Sequence, residues 1–414
     1  MIKYLNEELT EIKEIEKNKY IQEIESARDK YKNYLGFEKI ERNLEELPKI
    51  LECKKYIKEN FNLVLVCGIG GSYLGSRAVI EAIKGQYFNH NSDVKILFLG
   101  NNLSSNHIKY VMDIAENSNT CAIAISKSGN TIETLISFQI IRKFLMKKYD
   151  DYEDRIFLIT NDENGRLRDF KTERDCGFFK IHEDVVGRYS LLNNVGLLPM
   201  AIADIDIEKL LKGALDYKKY LEDVNLKENP SFLYALSRKK FFEKGKTIEI
   251  LSASDPALEY LLKWYVQLFS ESEGKNKNVI YSNYLIYSQD LHSMGQFLQE
   301  GPSNIFETSI NFLNYDVDYK VNLEEINPVY YKNLKEYSLN LLNQKVIKAT
   351  KDAHLKNDIH TSGVFLDRLD EYNIGQLLYF FMVSCSISSM LFGVNPYDQP
   401  GVEEYKSIFK KIIR

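Results

Sequence analysis

The sequence predicts an α/β protein with two doubly wound subdomains, each a mainly parallel sheet flanked by helices, after a helical N-terminal arm. Two observations support this prediction. Short, continuous apolar runs alternate with longer helix-like stretches, and the alternation begins again after Asn229-Pro230. Strands that are apolar on both faces are typical of parallel sheets covered by helices on both sides. The two halves share no obvious sequence repeat, which favours two subdomains over a repeat array.

Residues 1–60 form the predicted helical arm. They contain 27 charged side chains, and Ile12, Ile15, Ile21 and Ile24 recur at helical spacing. This stripe favours an amphipathic helix lying on a larger body over a solvated charged tail.

The first subdomain is predicted over residues 61–205. Its apolar runs predict strands at 62–68, 94–100, 120–126 and 155–160. Helix-like sequence lies between them, at 76–85 after the first strand and at 131–149 after the third.

The second subdomain is predicted over residues 206–394, followed by a C-terminal loop and helix at 395–414. Its predicted strands are 247–254, 278–283 and 304–313, and its predicted helices are 231–245, 257–272, 289–301 and 332–350. The uncharged run 377–394 is as long as a membrane span. Four serines interrupt this run and no basic cluster flanks it, which favours a helix buried in the core.

The composition excludes several kinds of partner. The 54 Lys and Arg residues against 59 Asp and Glu give a net charge of −5, without a basic cluster that could bind nucleic acid. Of the 414 residues, 44% are hydrophobic, which excludes a disordered chain. Local positive sites for small anions remain possible at this net charge.

The cysteines indicate a reducing environment. Cys53, Cys67, Cys121, Cys176 and Cys385 are odd in number and never spaced as CxxC, which argues against disulfides and zinc. The first twenty residues lack the apolar run of a signal peptide. We therefore expect a cytoplasmic protein that neither spans nor binds a membrane.

The first strand-to-helix junction, residues 67–77, is rich in glycine. Glycines at such a junction let backbone amides approach a ligand closely. The dinucleotide fingerprint from Gly68 needs glycine where Tyr73 stands, and a P-loop from Gly70 needs lysine where Ser76 stands. The junction matches neither motif, so it either binds another ligand or forms a tight structural turn.

The second junction, residues 126–134, combines small hydroxyl side chains with Lys127 and Asn130 at a predicted helix N-terminus. Hydroxyls, amides and the positive helix end together suit a phosphate dianion. The alternative is an ordinary helix cap, for which Thr131 and Thr134 would suffice. A cap needs one hydroxyl, so the number of polar groups favours phosphate.

These junctions resemble the sugar-isomerase (SIS) family of phosphosugar-binding domains, and specifically the phosphoglucose isomerase family of the shorter, bacterial type. Four further segments resemble that family in the same order: 186–190, 267–275, 290–301 and 395–403, the last followed by Lys406. The match covers nearly the whole chain beyond the arm. It departs from the family at Cys67, where an aliphatic residue is more usual, and at Asn130, which replaces a threonine.

The resemblance implies two SIS-type subdomains and an aldose–ketose isomerase that needs no cofactor and no metal. Such an enzyme interconverts glucose 6-phosphate and fructose 6-phosphate in glycolysis and gluconeogenesis. The sugar ring opens, and a proton then moves between C2 and C1 through a cis-enediol(ate). This chemistry needs a base beside C2 and positive charge near the developing oxyanion.

Glu271 is the base that the resemblance implies. It lies four residues after Gln267, so both side chains face one side of a helix whose end Gly274 marks. Glu273 lies six residues after Gln267, about 240° around the helix. Spacing therefore separates the two glutamates.

The resemblance also implies the other roles. Arg188 would stabilise the enediolate, and His292 and Lys406 would assist ring opening, with Gln399 ordering polar groups nearby. On spacing alone His354 and His360 are as plausible as His292. The family's histidine reaches the site from a partner subunit, which implies a homodimer with composite active sites. The remaining predicted binding residues are Ser126, Lys127, Ser128, Asn130 and Thr131 for the phosphate, and Gly70, Gly71 and Ser72 for the sugar.

Two alternatives remain at this stage. A relaxed isomerase would also accept mannose 6-phosphate, and a non-catalytic sensor would bind a phosphosugar without converting it. A sensor has no use for Glu271, Arg188 and Lys406 together, and residues 1–60 lack the basic face of a DNA-binding module. The motifs therefore favour the isomerase.

Overall fold

The computed structural model describes residues 1–6, 9, 12–161, 165–170, 177–321 and 334–413. The strands of this part are β1 Lys3–Leu5, β2 Leu63–Cys67, β3 Lys95–Leu99, β4 Thr120–Ser126, β5 Ile156–Thr160, β6 Phe178–Lys180, β7 Ile248–Ala253, β8 Tyr281–Ile286, β9 Ile305–Phe312 and β10 His360–Leu366. The α-helices are α1 Glu14–Lys30, α2 Ile40–Glu45, α3 Leu47–Asn60, α4 Leu74–Lys84, α5 Ser105–Glu116, α6 Ile132–Lys148, α7 Asn194–Ile202, α8 Ile207–Asp223, α9 Pro230–Glu243, α10 Glu259–Glu273, α11 Leu291–Glu300, α12 Leu339–Lys356, α13 Glu371–Leu391 and α14 Gly401–Ile412. Cys176 and the first two residues of the predicted helix 332–350 lie outside the described residues.

The first half folds around a five-stranded sheet in the order β3-β2-β4-β5-β6, with every neighbouring pair parallel. Leu63, Leu65 and Cys67 of β2 face a core shared with α5 and α6. Val64 and Val66 face the main core on the other side. Because both faces are covered, the continuous apolar runs predicted this parallel sheet correctly.

The second half contains another five-stranded sheet, in the order β1-β10-β9-β7-β8. Four of its strands are parallel, and β1 pairs antiparallel with β10, with Tyr4 opposite Val364. The prediction of a purely helical arm missed β1. Tyr4 is the buried residue of this three-residue strand, so its pattern is too short to stand out among charged neighbours.

The helix α1 lies on the body of the protein, but the predicted apolar stripe is wrong at Ile15. Ile24 is buried and Ile12 and Ile21 pack against the core, whereas Ile15 is 82% exposed. The second buried residue of α1 is Tyr20. Ile15 lies five residues before it, about 140° around the helix, and so faces solvent.

Two predicted elements of the second half are shifted along the chain. The strand predicted at 278–283 begins at Tyr281, where its pairing with Ile248 of β7 starts. The helix predicted at 332–350 is α12, which begins at Leu339 because the Ser338 hydroxyl accepts a hydrogen bond from the Leu341 amide. A serine in this position caps the helix and fixes its first turn.

The apolar run 377–394 forms most of α13, the core helix of the second half. Among the described residues, α13 is long and apolar enough to cross a membrane, but its apolar window is entirely buried inside the protein. It packs on α8, α9 and α10. Gly375 of α13 and Gly213 of α8 allow this close approach, because a Cβ at either would overlap a carbonyl oxygen of the other helix.

The two halves meet where α4 packs on α10. The Arg77 guanidinium of α4 lies 3.7 Å from the ring centre of Tyr260 on α10. In the first sheet, β3 and β4 lie on opposite sides of β2, so the chain reverses its direction of winding there. Ligands of such sheets bind in the crevice beyond the strand ends at this point. The segments after Cys67 and Ser126 border that crevice.

Candidate active site

The last turns of α10 bring two predicted site residues together. The Gln267 side-chain amide donates a hydrogen bond to Glu271 Oε1 at 3.0 Å. The Glu271 side chain is 35% exposed, so its carboxylate is partly desolvated and still accessible. Glu273 is buried, and its Oε2 accepts a hydrogen bond from Arg238 at 2.6 Å. The structure therefore separates Glu271 from Glu273, as the helical spacing predicted.

Arg188 lies in the short turn Gly187–Tyr189 and is fully buried beside Glu271. Its Nη1 atom is 3.6 Å from Glu271 Oε2. The guanidinium donates hydrogen bonds to Ser272 Oγ at 2.7 Å, Gln399 Oε1 at 3.0 Å and the carbonyl oxygens of Pro396 at 2.5 Å and Asp398 at 2.9 Å. These acceptors fix the orientation of the guanidinium, which always remains positively charged in a protein.

The glycine-rich junction lies against the same cluster. Gly70 adopts a φ of +57°, and a Cβ there would lie 2.8 Å from the Gln267 side-chain nitrogen. A Cβ at Gly71 would overlap the carbonyl oxygen of Gly187. Gly71 therefore requires glycine because the backbone of the Arg188 turn approaches too closely for a side chain, and the positive φ at Gly70 favours glycine there. Ser72 follows them and is partly exposed.

The predicted phosphate loop connects β4 to α6. Ser126 is buried with its hydroxyl 3.3 Å from the Thr131 hydroxyl, and the Ser128 hydroxyl accepts a hydrogen bond from the Asn130 amide. Thr131 occupies the N-cap position of α6, yet its side chain makes no capping hydrogen bond within the described residues. The amides of the first turn thus remain available to an anion, which favours the phosphate hypothesis over the ordinary cap.

Lys127 belongs to this loop, but its ammonium points to another segment. It donates hydrogen bonds to the carbonyl oxygens of Glu183 and Val185, each at 2.9 Å. Burial lowers the pKa of Lys127, while the charges of Glu183 and Asp184 oppose that shift. The side chain therefore ties the phosphate loop to the segment that leads into the Arg188 turn.

His292 and Lys406 lie apart from the cluster in this single chain. His292 is exposed in the first turn of α11. The Lys406 ammonium pairs with Glu403 on the exposed helix α14, at 2.8 Å. Within the part of the chain that the structure describes, neither side chain is hydrogen bonded or ion paired to Glu271 or Arg188.

The motif-based selection missed several groups that hold Arg188 in place. Ser272 and the carbonyl oxygens of Pro396 and Asp398 contact it directly. All three lie inside the segments 267–275 and 395–403 that carried the resemblance. Their place in those segments is the available signal, because backbone carbonyls and a single serine have no sequence pattern of their own.

Comparison with solved structures identifies the fold. A hypothetical protein of Thermus thermophilus matches with a TM-score of 0.89 at 24% identity, over 100% of both chains. A glucose-6-phosphate isomerase from Chlamydia trachomatis matches with a TM-score of 0.73 at 20% identity, over 88% of this chain and 73% of that one. The fold is that of the SIS-domain phosphosugar isomerases.

Sequence comparison identifies the family. The family model described as phosphoglucose isomerase matches residues 37–299. A glucose-6-phosphate isomerase of Clostridioides difficile (strain 630) is 38% identical over 382 residues, which cover 90% of this chain and 85% of the relative. The chain belongs to the phosphoglucose isomerase family, and it is an aldose–ketose isomerase.

Proposed function

We propose that Gln267, Glu271 and Arg188 form the centre of the active site in which this chain interconverts glucose 6-phosphate and fructose 6-phosphate. The observation that carries the proposal is a partly exposed carboxylate next to a buried, fully oriented guanidinium, 3.6 Å apart. The pair lies beside the glycine-rich junction, at the crevice beyond the ends of β2 and β4.

Glu271 acts as the base that moves the proton between C2 and C1. A carboxylate that deprotonates carbon benefits from partial burial, and the Gln267 amide holds its Oε1 in place. The enediolate that forms carries negative charge on oxygen. Arg188 lies close enough to stabilise that charge and, as a permanent cation, does not compete as a base.

The phosphate of the substrate binds at the N-terminus of α6. The hydroxyls of Ser126, Ser128 and Thr131 belong to the loop that leads into the uncapped first turn, and Asn130 lies between them in sequence. Lys127 contributes by fastening this loop to residues 183–185. The binding site for the sugar is lined by Gly70, Gly71 and Ser72, because these residues lie between the phosphate loop and α10.

Ring opening is assigned to Lys406 and His292, and Gln399 is assigned to the ordering of polar groups in the site. Lys406 is carried by α14, which follows directly on the segment whose Gln399 side chain contacts Arg188. His292 comes from the second copy in a homodimer. The exposed Phe297 on the same helix, 46% exposed, supports an interface at α11.

We place the domain boundaries at 60/61, 205/206 and 394/395, so that each sheet forms the centre of one SIS-type subdomain. The strand β1 joins the second sheet from the N-terminal arm. We also place the protein in the cytoplasm. There Cys53, Cys67, Cys121 and Cys385, which are buried and form no disulfide among the described residues, would remain reduced.

Replacement of Glu271 by Gln tests the role of the base. Conversion of fructose 6-phosphate, measured by coupling the product to a dehydrogenase, should fall at least about 100-fold in kcat. The variant should still bind a phosphorylated sugar-acid inhibitor in calorimetry, because the phosphate loop is unchanged.

The matched control is Glu52→Gln, the same chemical change at an exposed position of α3, which should leave kcat unchanged. Near-normal turnover by the Glu271 variant would rule out Glu271 as the base. An inactive wild-type protein that still binds the inhibitor would instead indicate a sensor.

A further inference from the structure

Two parts of the chain hold the Arg188 guanidinium from different sides. Ser272, at the end of α10, accepts from Nε at 2.7 Å. The segment 395–399 supplies two carbonyl oxygens and the Gln399 side chain to the two terminal nitrogens. The position of the charge therefore depends on how firmly this segment is fixed to the end of α10.

Lys275 connects these two parts. It follows the last residues of α10, Glu273 and the cap Gly274. Its ammonium donates to the carbonyl oxygen of Asn395 and pairs with Asp398 Oδ1 at 2.8 Å. The Lys275 side chain is only 11% exposed, which is unusual for a lysine and means that its charge depends on these partners.

The contacts of the Lys275 ammonium distinguish this residue from the catalytic groups. Within the described residues, the hydrogen bond and the ion pair of its ammonium go to the segment 395–399, and none goes to Gln267 or Glu271. Burial lowers the pKa of Lys275 and its bond to Asp398 opposes that shift, while the nearby positive charge of Arg188 lowers the pKa further. Two cations are thus held close together by the carbonyls and carboxylate of one segment.

We propose that Lys275 is a positioning residue, which clamps the segment 395–399 to the end of α10 and so fixes the guanidinium of Arg188. This inference rests on the role given to Arg188 under the proposed function. Lys275 itself does not touch the substrate. It acts on the reaction through the geometry of the charge that meets the enediolate.

Lys275→Met tests the clamp, because methionine keeps an unbranched chain and loses the ammonium. We expect kcat to fall about 10- to 100-fold, somewhat less than the loss of an oxyanion donor, because Arg188 is misplaced rather than removed. KM should stay within about threefold, since the phosphate loop is untouched. Lys277→Met is the matched control. Lys277 is an exposed lysine two residues away, and its loss should leave kcat unchanged.

The double variant Arg188→Met/Lys275→Met shows whether Lys275 acts through Arg188. If it does, the double variant should be no less active than Arg188→Met alone, because the position of the guanidinium no longer matters once the guanidinium is absent. A further loss equal to that of Lys275→Met alone would mean an independent role and would overturn the proposal. So would equal kcat values for Lys275→Met and Lys277→Met.

Asp398→Asn tests the same clamp by changing the other partner of the ion pair. The Asp398 side chain is 51% exposed, so Lys275→Met leaves no carboxylate buried without a partner, and its melting temperature should stay close to the wild type. If Lys275→Met does not fold, a selective loss of kcat in Asp398→Asn supports the clamp, and wild-type kcat overturns it. If Arg188→Met retains full activity, the proposed role of Arg188 fails, and the inference about Lys275 fails with it.

Discussion

In its proposed role, the charge of Arg188 can stabilise the enediolate only where its acceptors hold it. Ser272 is the contact that α10 provides, and its hydroxyl also lies 3.3 Å from the Tyr189 hydroxyl. Hydrogen bonds to charged groups contribute about 1.5–3 kcal/mol, and a buried charged donor without a partner costs more than a neutral one. A single hydroxyl therefore influences the electrostatics of the site.

Ser272→Ala should lower kcat about 10-fold with little change in KM, because the guanidinium loses the partner of its Nε atom. Steady-state kinetics with fructose 6-phosphate measures both parameters. Ser270→Ala, at an exposed position of the same helix, makes the same change away from Arg188 and should be neutral. Equal kinetics for the two variants would contradict this role of Ser272.

At this scale the sequence predicted the convergence of Gln267 and Glu271 but not the contacts that orient Arg188 beside them. Helical spacing is local information, so the separation of four positions between Gln267 and Glu271 was enough. Lys275 and Asp398 are 123 positions apart in the chain, and the contact between them depends on the whole fold. Lysine and aspartate near loops are usually solvated, so these residue types did not indicate that Lys275 is buried.

The elements of the second half are joined by a buried ionic group behind the active site. Arg238 of α9 pairs with Glu249 of β7 and with Glu273 at the end of α10. The hydroxyls of Tyr234 and Tyr265 each donate to the Glu249 carboxylate at 2.7 Å. One guanidinium thus connects strand β7 of the second sheet to the helix that carries Glu271.

Arg238→Met should lower the free energy of unfolding by about 3–5 kcal/mol, because it leaves two buried carboxylates without their cation. Urea denaturation measures this loss. Adding Glu273→Gln should restore part of it, since a single buried carboxylate then remains and hydroxyls still bind it. Lys239→Met on the same helix breaks a partly exposed contact of 3.8 Å and should cost less than about 1 kcal/mol. A loss in Arg238→Met no larger than this would contradict the structural role of the ionic group.

Sequence patterns predicted the continuous apolar strands better than β1, β6 and β10, which they missed, and better than the buried charged positions. The strand at 120–126 was predicted to the residue, because it is apolar, buried on both faces and bounded by polar positions. The edge strand β1 was missed because three residues contain too little periodicity. Arg238 lies in the run 237–240, Ser-Arg-Lys-Lys, where the buried arginine cannot be distinguished from the more exposed lysines that follow it.

On the scale of the whole molecule, one chain leaves much apolar surface uncovered around His292. The exposed apolar side chains of this region are Phe297, Leu313, Tyr315, Val317, Tyr319, Leu339, Leu341 and Leu355. The elements that carry them adjoin one another, since α11 contacts α12 and the Tyr319 carbonyl bonds to the Leu339 amide. Exposed apolar surface of this kind marks a protein interface, and a second copy of the chain would both cover it and bring in His292.

A mixture of two inactive variants tests this composite site directly. Glu271→Gln and His292→Ala homodimers should each be nearly inactive, because every site lacks either the base or the histidine. Random exchange of subunits makes about half of the dimers mixed, and one of the two sites in each mixed dimer then contains Glu271 and His292 together. Activity should therefore recover to about one quarter of the wild-type value after subunit exchange. Activity that stays at the level of the separate variants, although light scattering shows exchanged dimers, would place both residues in the same subunit; a molar mass of one chain would exclude the composite site altogether.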